Sequence, residues 1–134
     1  MSWLRTGQII IGKIDTDHVS ISVIDRSKDW IDGTVQISAG AWSGTCRASF
    51  YEGELRQFAS EIERLYKDLE GFAQLCPIEP HLELKLEGDG KGHVLVDGKA
   101  QHRLSVGTYL TFRLEIDQTE LPAIISGLRL ADPD

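Results

Sequence analysis

Hydrophobic residues in this chain recur with two different periods, and the order of these periods constrains the fold more than any other feature. In three short segments, residues 19–23, 35–39 and 46–50, every second residue is apolar. Such alternation is typical of β-strands with one buried face. The β-branched run Gln8–Ile14 predicts a further strand. Because the connections are too short for crossover helices, we expect these strands to pair antiparallel.

The period changes after residue 53. Apolar residues there lie three or four positions apart, as on one face of a helix: Leu55, Phe58, Ile62, Leu65 and Leu69. Gly71 follows the last of them, where a glycine commonly ends a helix. The spacing therefore predicts a helix at about 53–69.

Alternation then returns, and a second helical pattern closes the chain. Residues 82–86 and 110–116 alternate strictly, and the glycine-rich loop Gly88–Gly92 predicts a hairpin. Four apolar residues near the end again have helical spacing, and Asp117 with Glu120 forms the pattern of a capping box. We expect a second helix at about 118–130.

This order of elements predicts the fold class. We expect an α+β fold in a single domain, residues 1–134, with an antiparallel β-sheet of about seven to eight strands. The two predicted helices would pack on one face or end of that sheet. No proline- or serine-rich linker divides the sequence.

Charge and apolar content limit the partners. The chain has 21 acidic and 14 basic residues among 134, a formal net charge of −7, which disfavours binding to nucleic-acid phosphates. No stretch approaches the roughly 20 apolar residues that a membrane helix needs, and the N-terminal apolar run is too short for a signal peptide. We therefore expect a cytoplasmic protein without a membrane or nucleic-acid partner, with Cys46 and Cys76 reduced.

The search for catalytic and metal-binding patterns yields none. None of the four histidines forms a His-x-x-x-His pair or lies near a cysteine in the sequence, so no metal-ligand spacing appears: His18, His81, His93 and His102. The loop Gly88–Gly92 departs from the phosphate-binding pattern because a glycine follows Lys91. We expect no catalytic residues, no metal and no cofactor.

One segment has the composition of a binding surface. Asp15–Asp32 holds five aspartates against one arginine and one lysine, and Trp30 lies among them. We predict Asp25–Asp32 to be a loop and Asp25, Asp29, Trp30 and Asp32 to contact a partner, since aromatic side chains often anchor interfaces. The alternative for Trp30 is that it begins a strand and covers the edge of the core. Trp42 and Phe50 share the parity of Cys46, so we expect all three to face the core.

A family resemblance adds a functional expectation. It rests on the patterned helix, on Leu69-Glu70-Gly71-Phe72-Ala73-Gln74-Leu75, on Gly92-His93-Val94 and on Asp117-Gln118-Thr119 with Leu121-Pro122. Over roughly residues 45–130, this order resembles the WapI-type immunity proteins and related small bacterial proteins.

The resemblance implies a non-catalytic protein that binds and blocks a toxin delivered by neighbouring bacteria. The expected partner is therefore a protein, a cognate toxin. A small-molecule binding module is the alternative, and the sequence leaves the oligomeric state and the identity of any toxin open.

Overall fold

A computed structural model describes residues 7–104 and 107–134 of the protein. Within these residues, eight strands and two helices follow one another in the order β1 Gln8–Gly12, β2 His18–Arg26, β3 Trp30–Ala39, β4 Trp42–Tyr51, α1 Glu54–Asp68, β5 Glu70–Leu75, β6 Leu82–Asp89, β7 His93–Gln101, β8 Tyr109–Asp117 and α2 Leu121–Ala131. The predicted α+β fold is confirmed.

The strands form two antiparallel sheets. Sheet A contains β1–β4 and sheet B contains β5–β8, each in the order of the sequence. The sequence predicted the number of strands correctly but placed them in one sheet instead of two. The division has a local cause, because α1 lies between β4 and β5 and interrupts the succession of hairpins.

The inward faces of both sheets and one face of each helix share a hydrophobic core. Helix α1 contributes the apolar stripe that its spacing predicted, and β3 and β4 contribute Val35, Ile37 and Phe50. The second helix contributes Leu121, Ile124, Ile125 and Leu128. Periodicity therefore identified the buried face of nearly every element.

Both ends of α1 and the C-terminal end of α2 agree with the predicted bounds to within one residue, whereas α2 begins at Leu121, three residues after the predicted start. Helix α1 ends at Asp68, and Leu69 takes the left-handed conformation (φ 63°), two residues before the predicted Gly71. A single 3-10 turn, Gln118–Glu120, precedes α2, and Asp117 and Glu120 form the predicted capping box. Neither helix among the described residues is long and apolar enough to cross a membrane.

Two predictions near sheet A were wrong. The expected loop Asp25–Asp32 is mostly strand, because β2 extends to Arg26 and β3 begins at Trp30. Phe50 is fully buried and Cys46 packs against the core, but the side chain of Trp42 is 72% exposed. Trp42 adjoins the two-residue turn between β3 and β4. It is therefore on the side of the sheet that faces the core, but it lies beyond the end of the core.

Candidate partner-binding surface

The β2–β3 hairpin brings two of the predicted site residues side by side. Asp25 and Asp32 are register partners, and a bulge between Val23 and Asp25 shifts the pairing. The backbone N–H of Ser27 donates to the carbonyl of Trp30 at 2.9 Å and closes the turn. Both carboxylates therefore sit near the turn, on adjacent strands.

Trp30 packs against a tyrosine that the sequence did not single out. It is the register partner of Tyr51 in β4, and the two rings meet edge to face with centroids 5.4 Å apart. Trp30 is half-buried and Tyr51 is 41% exposed. Trp30 thus begins a strand, as the alternative held. The next residue, Ile31, faces the core, so the side chain of Trp30 lies on the outer face of sheet A.

The acidic side chains around this aromatic pair differ in their bonding. The hydroxyl of Ser49 donates to Asp32 at 2.6 Å, which fixes that carboxylate on the outer face. Asp25 and Asp29 are exposed, and neither carboxylate has a hydrogen bond or ion pair within the described residues. The backbone of Asp29 is held, because its carbonyl accepts from the N–H of Glu52 at 2.8 Å.

Arg26, the residue after Asp25 in the sequence, has a hydrogen bond to another element. The guanidinium of Arg26 donates to the carbonyl of Leu130 at 3.0 Å, at the end of α2. We call Asp25, Asp29, Trp30, Asp32 and Tyr51 together the acidic–aromatic surface. It combines a partly exposed aromatic pair with carboxylates, a chemistry suited to a basic protein partner with an apolar contact.

A second group of ionisable residues lies at the end of the β6–β7 hairpin. The Nδ1 atom of His93 is 2.9 Å from a carboxylate oxygen of Asp89, whose other oxygen accepts from the backbone N–H groups of Lys91 and His93. The bond from Lys91, followed by that from the His93 ring, lowers the pKa of Asp89 to about 2. Asp89 in turn raises the pKa of His93. These bonds close the hairpin.

His93 also borders an open cleft of about 570 Å³ between the β1–β2 turn and the end of β8. Its ionisable lining residues are Lys13, Asp17, His93, Glu115, Asp117 and Glu120. Among residues 7–104 and 107–134, no group of three histidine, cysteine or acidic side chains is arranged to hold a metal ion.

Four charged side chains on the outer face of sheet B contact neighbouring side chains. The guanidinium of Arg113 donates to Asp97 at 2.7 and 3.2 Å. The ammonium groups of Lys85 and Lys99 lie 5.0 and 4.4 Å above the rings of Phe72 and Tyr109. Arg113, Asp97, Lys85 and Lys99 therefore each contact a neighbour, whereas the carboxylates of Glu83, Glu87 and Glu115 have no hydrogen bond or ion pair within the described residues.

Comparison with known families places this geometry in context. The sequence profile of the Immunity protein WapI-like family matches residues 9–131. The chain belongs to the WapI-like immunity protein family. No individual curated protein matches the chain. The family match extends beyond the part that carried the resemblance and includes β1–β3, so the acidic–aromatic surface lies within the WapI-like region.

Proposed function

We propose that this member of the WapI-like family is an immunity protein that neutralises a cognate bacterial toxin by covering part of its surface. The observation that carries the proposal is the match to the family over residues 9–131. The protein would act in the cytoplasm, where the toxin would exert its effect, and would need no catalysis or cofactor of its own.

The acidic–aromatic surface is the proposed contact region. Interfaces gain most of their energy from a few well-packed aromatic or arginine side chains, with polar groups around them. Trp30 and Tyr51 supply such a centre, already held by their edge-to-face contact. A residue fixed before binding loses little conformational freedom on binding, which favours affinity.

The carboxylates of this surface favour a basic partner. The aspartates lie on a chain with net charge −7, and Asp25 and Asp29 are exposed. Complementary charge accelerates association and selects among partners more than it raises affinity. Toxin domains that attack nucleic acid are the basic class that such a surface suits best.

Co-expression tests the proposal directly. The toxin domain would be taken from the gene beside this one, and growth would be measured with and without this protein. We expect growth to be restored by the wild type and by Glu83→Gln/Glu87→Gln on sheet B, but not by Asp29→Asn/Trp30→Ala. Toxicity that persists with the folded wild type would contradict toxin neutralisation. Full rescue by the Asp29 and Trp30 variant would contradict the proposed contact region only.

A further inference from the structure

The outer edge of β4 carries backbone groups without partners. A two-residue turn joins Ala39 to Trp42, with Gly40 at φ 61°, and such a turn makes its flanking residues a hydrogen-bonded pair. Hydrogen-bonded and non-hydrogen-bonded pairs then alternate along the strands. The bond from Glu52 N–H to the carbonyl of Asp29 confirms this phase at the far end.

This alternation determines which backbone N–H and C=O groups of β4 point away from β3. They belong to Ser43, Thr45, Arg47, Ser49 and Tyr51. The N–H of Tyr51 donates to the carboxylate of Glu54 at 2.7 Å. In the described part of the chain, the other four N–H groups have no acceptor. About 20 Å of strand edge is therefore open, at roughly 3.3 Å per residue.

The two edges of sheet B are better protected. Helix α1 covers the edge of β5, where Glu61 accepts from the N–H of Gln74 at 2.9 Å. The edge of β8 carries Arg113 and Glu115, and exposed charges of this kind discourage pairing with another strand. By contrast, β4 has ten residues without proline or acid, and Arg47 is its one charged residue.

We propose that β4 pairs antiparallel with β4 of a second copy of this chain, so that two copies of sheet A form one continuous sheet of eight strands. One register uses every open group. It places Ser43 opposite Ser49 of the second copy and Thr45 opposite Arg47. The two-fold axis repeats each pair, so four pairs form about eight hydrogen bonds. A shift by two residues in one direction would set two Arg47 side chains opposite each other, and a shift in the other direction would leave Ser49 outside the ladder.

The same register explains the exposed tryptophan. Trp42 would lie opposite Phe50 of the second copy, on the side of the sheet that faces the core. The indole, 72% exposed in the single chain, would lie at the joint between the two copies, beside a phenyl ring that is already fully buried. Because β4 has no acidic residue, the contact also brings together two chains of net charge −7 along a stretch without carboxylates.

The pairing leaves the acidic–aromatic surface accessible and does not depend on the proposed function. Tyr51 lies five residues from the two-fold axis at Cys46, so the two surfaces would be about 33 Å apart at opposite ends of the joined strands. Dimerisation and toxin binding can therefore be tested separately.

Sedimentation equilibrium from micromolar to millimolar concentration is the first test, with Thr45→Pro as the disrupting variant. Proline removes an N–H that points away from β3, so the β3–β4 ladder stays intact while the dimer contact loses a bond in each copy. We expect the wild type and Thr45→Val to dimerise, and Thr45→Pro to raise the dimer dissociation constant by about tenfold or more. Thr111→Pro at the edge of β8 is the matched proline control and should dimerise as the wild type does.

Cysteine cross-linking is the second test, and it remains decisive if Thr45→Pro fails to fold. Cys46 would face Cys46 of the second copy with Cα atoms about 4.5 Å apart, within disulfide range. With Cys76→Ser to remove the other thiol, diamide should yield a covalent dimer, and Cys76→Ser/Cys46→Ser should not. Burial raises the pKa of Cys46, so the reaction belongs at alkaline pH. A wild type that stays monomeric, a dimer that survives Thr45→Pro, or a dimer that Cys46 does not cross-link would overturn the proposal.

Discussion

The two sheets of this protein carry different chemistry on the faces that point away from the core. Sheet A presents mainly small hydroxyl and amide side chains there, with aromatic and acidic residues at one end: Ser22, Thr34, Gln36, Ser38, Ser43, Thr45 and Ser49, then Trp30, Tyr51, Asp25 and Asp32. Sheet B presents a dense mixture of charges: Glu83, Lys85, Glu87, Asp97, Lys99, Arg113 and Glu115.

This difference shows that charge density alone does not locate a binding surface. On sheet B, Arg113 is bonded to Asp97 and the lysines lie over aromatic rings. A partner would have to replace those contacts before it gained new ones. On sheet A, Asp25 and Asp29 have no such contacts within the described residues, and small side chains lose little rotamer freedom when they are covered. The unpaired aspartates and small side chains support our proposal that the partner binds on sheet A.

The largest stability effect is expected at the contact that joins the start of α1 to the end of α2. Asp132 follows α2 and is 2% exposed, and its carboxylate accepts from the N–H groups of Gly53 and Arg56 at 2.8 and 3.1 Å. It caps α1 in place of a local side chain. Asp132→Ala should lower the free energy of unfolding by about 2–4 kcal/mol, measured by urea denaturation. Asp134→Ala, 95% exposed, should cost less than about 0.5 kcal/mol, and equal losses would refute the capping role.

Glycine substitutions compare the packing of the two sheets. A Cβ at Gly98 in β7 would collide with the ring of Phe112, whereas a Cβ at Gly44 in β4 would meet nothing within 4 Å. Gly98→Ala should therefore cost about 1–3 kcal/mol, and Gly44→Ala should be nearly neutral. Thermal unfolding of both variants measures the difference. A tolerated alanine at residue 98 would show that sheet B packs less tightly than the structure indicates.

Neutralising the carboxylates of Asp25 and Asp29 tests whether the charge of this surface speeds association with the toxin domain. Asp25→Asn/Asp29→Asn should slow association with the toxin domain by roughly three- to tenfold at low salt, and the deficit should shrink as salt is added. Stopped-flow or surface-binding kinetics at several salt concentrations would show this. Glu83→Gln/Glu87→Gln removes the same charge from sheet B, so an equal effect there would mean that only net charge matters.

The smallest effect is expected at the hairpin end of sheet B. Asp89 raises the pKa of His93, so the contribution of His93 to stability is complete below its unfolded pKa and is lost as pH rises through the higher folded value. The pKa of Asp89 is lowered to about 2, so its contribution is lost only as pH falls towards 2. The stability advantage of the wild type over His93→Gln should thus be larger at mildly acidic than at alkaline pH. Urea midpoints across this range test it, and a constant difference would contradict the ion pair.

Local patterns were enough to predict the elements of this fold. Alternation and helical spacing identify the inward side of each segment, and the capping box at Asp117 and Glu120 needs only residues three apart. The same patterns do not say which strands pair, so the division into two sheets required the three-dimensional arrangement. Trp42 illustrates the limit, since parity assigns a side of the sheet but not how far the core extends beneath it.

The sequence predicted only part of the candidate site. The acidic segment and Trp30 stand out in composition, but Tyr51 becomes a neighbour of Trp30 through strand register across 21 positions. The role of Asp132 is still more remote, because it caps a helix whose first residues precede it by nearly 80 positions. Long-range contacts of this kind leave no local signal in one sequence.

The most direct test of the central claim is the affinity of the toxin domain for two alanine variants, measured by isothermal titration calorimetry. Trp30→Ala removes the aromatic centre of the acidic–aromatic surface, and Tyr109→Ala removes an exposed aromatic ring from sheet B. We predict that Trp30→Ala weakens binding by about 30-fold or more, a loss of roughly 2 kcal/mol, and that Tyr109→Ala changes it by less than about threefold. A loss of affinity in Tyr109→Ala with none in Trp30→Ala would place the toxin on sheet B and contradict the account.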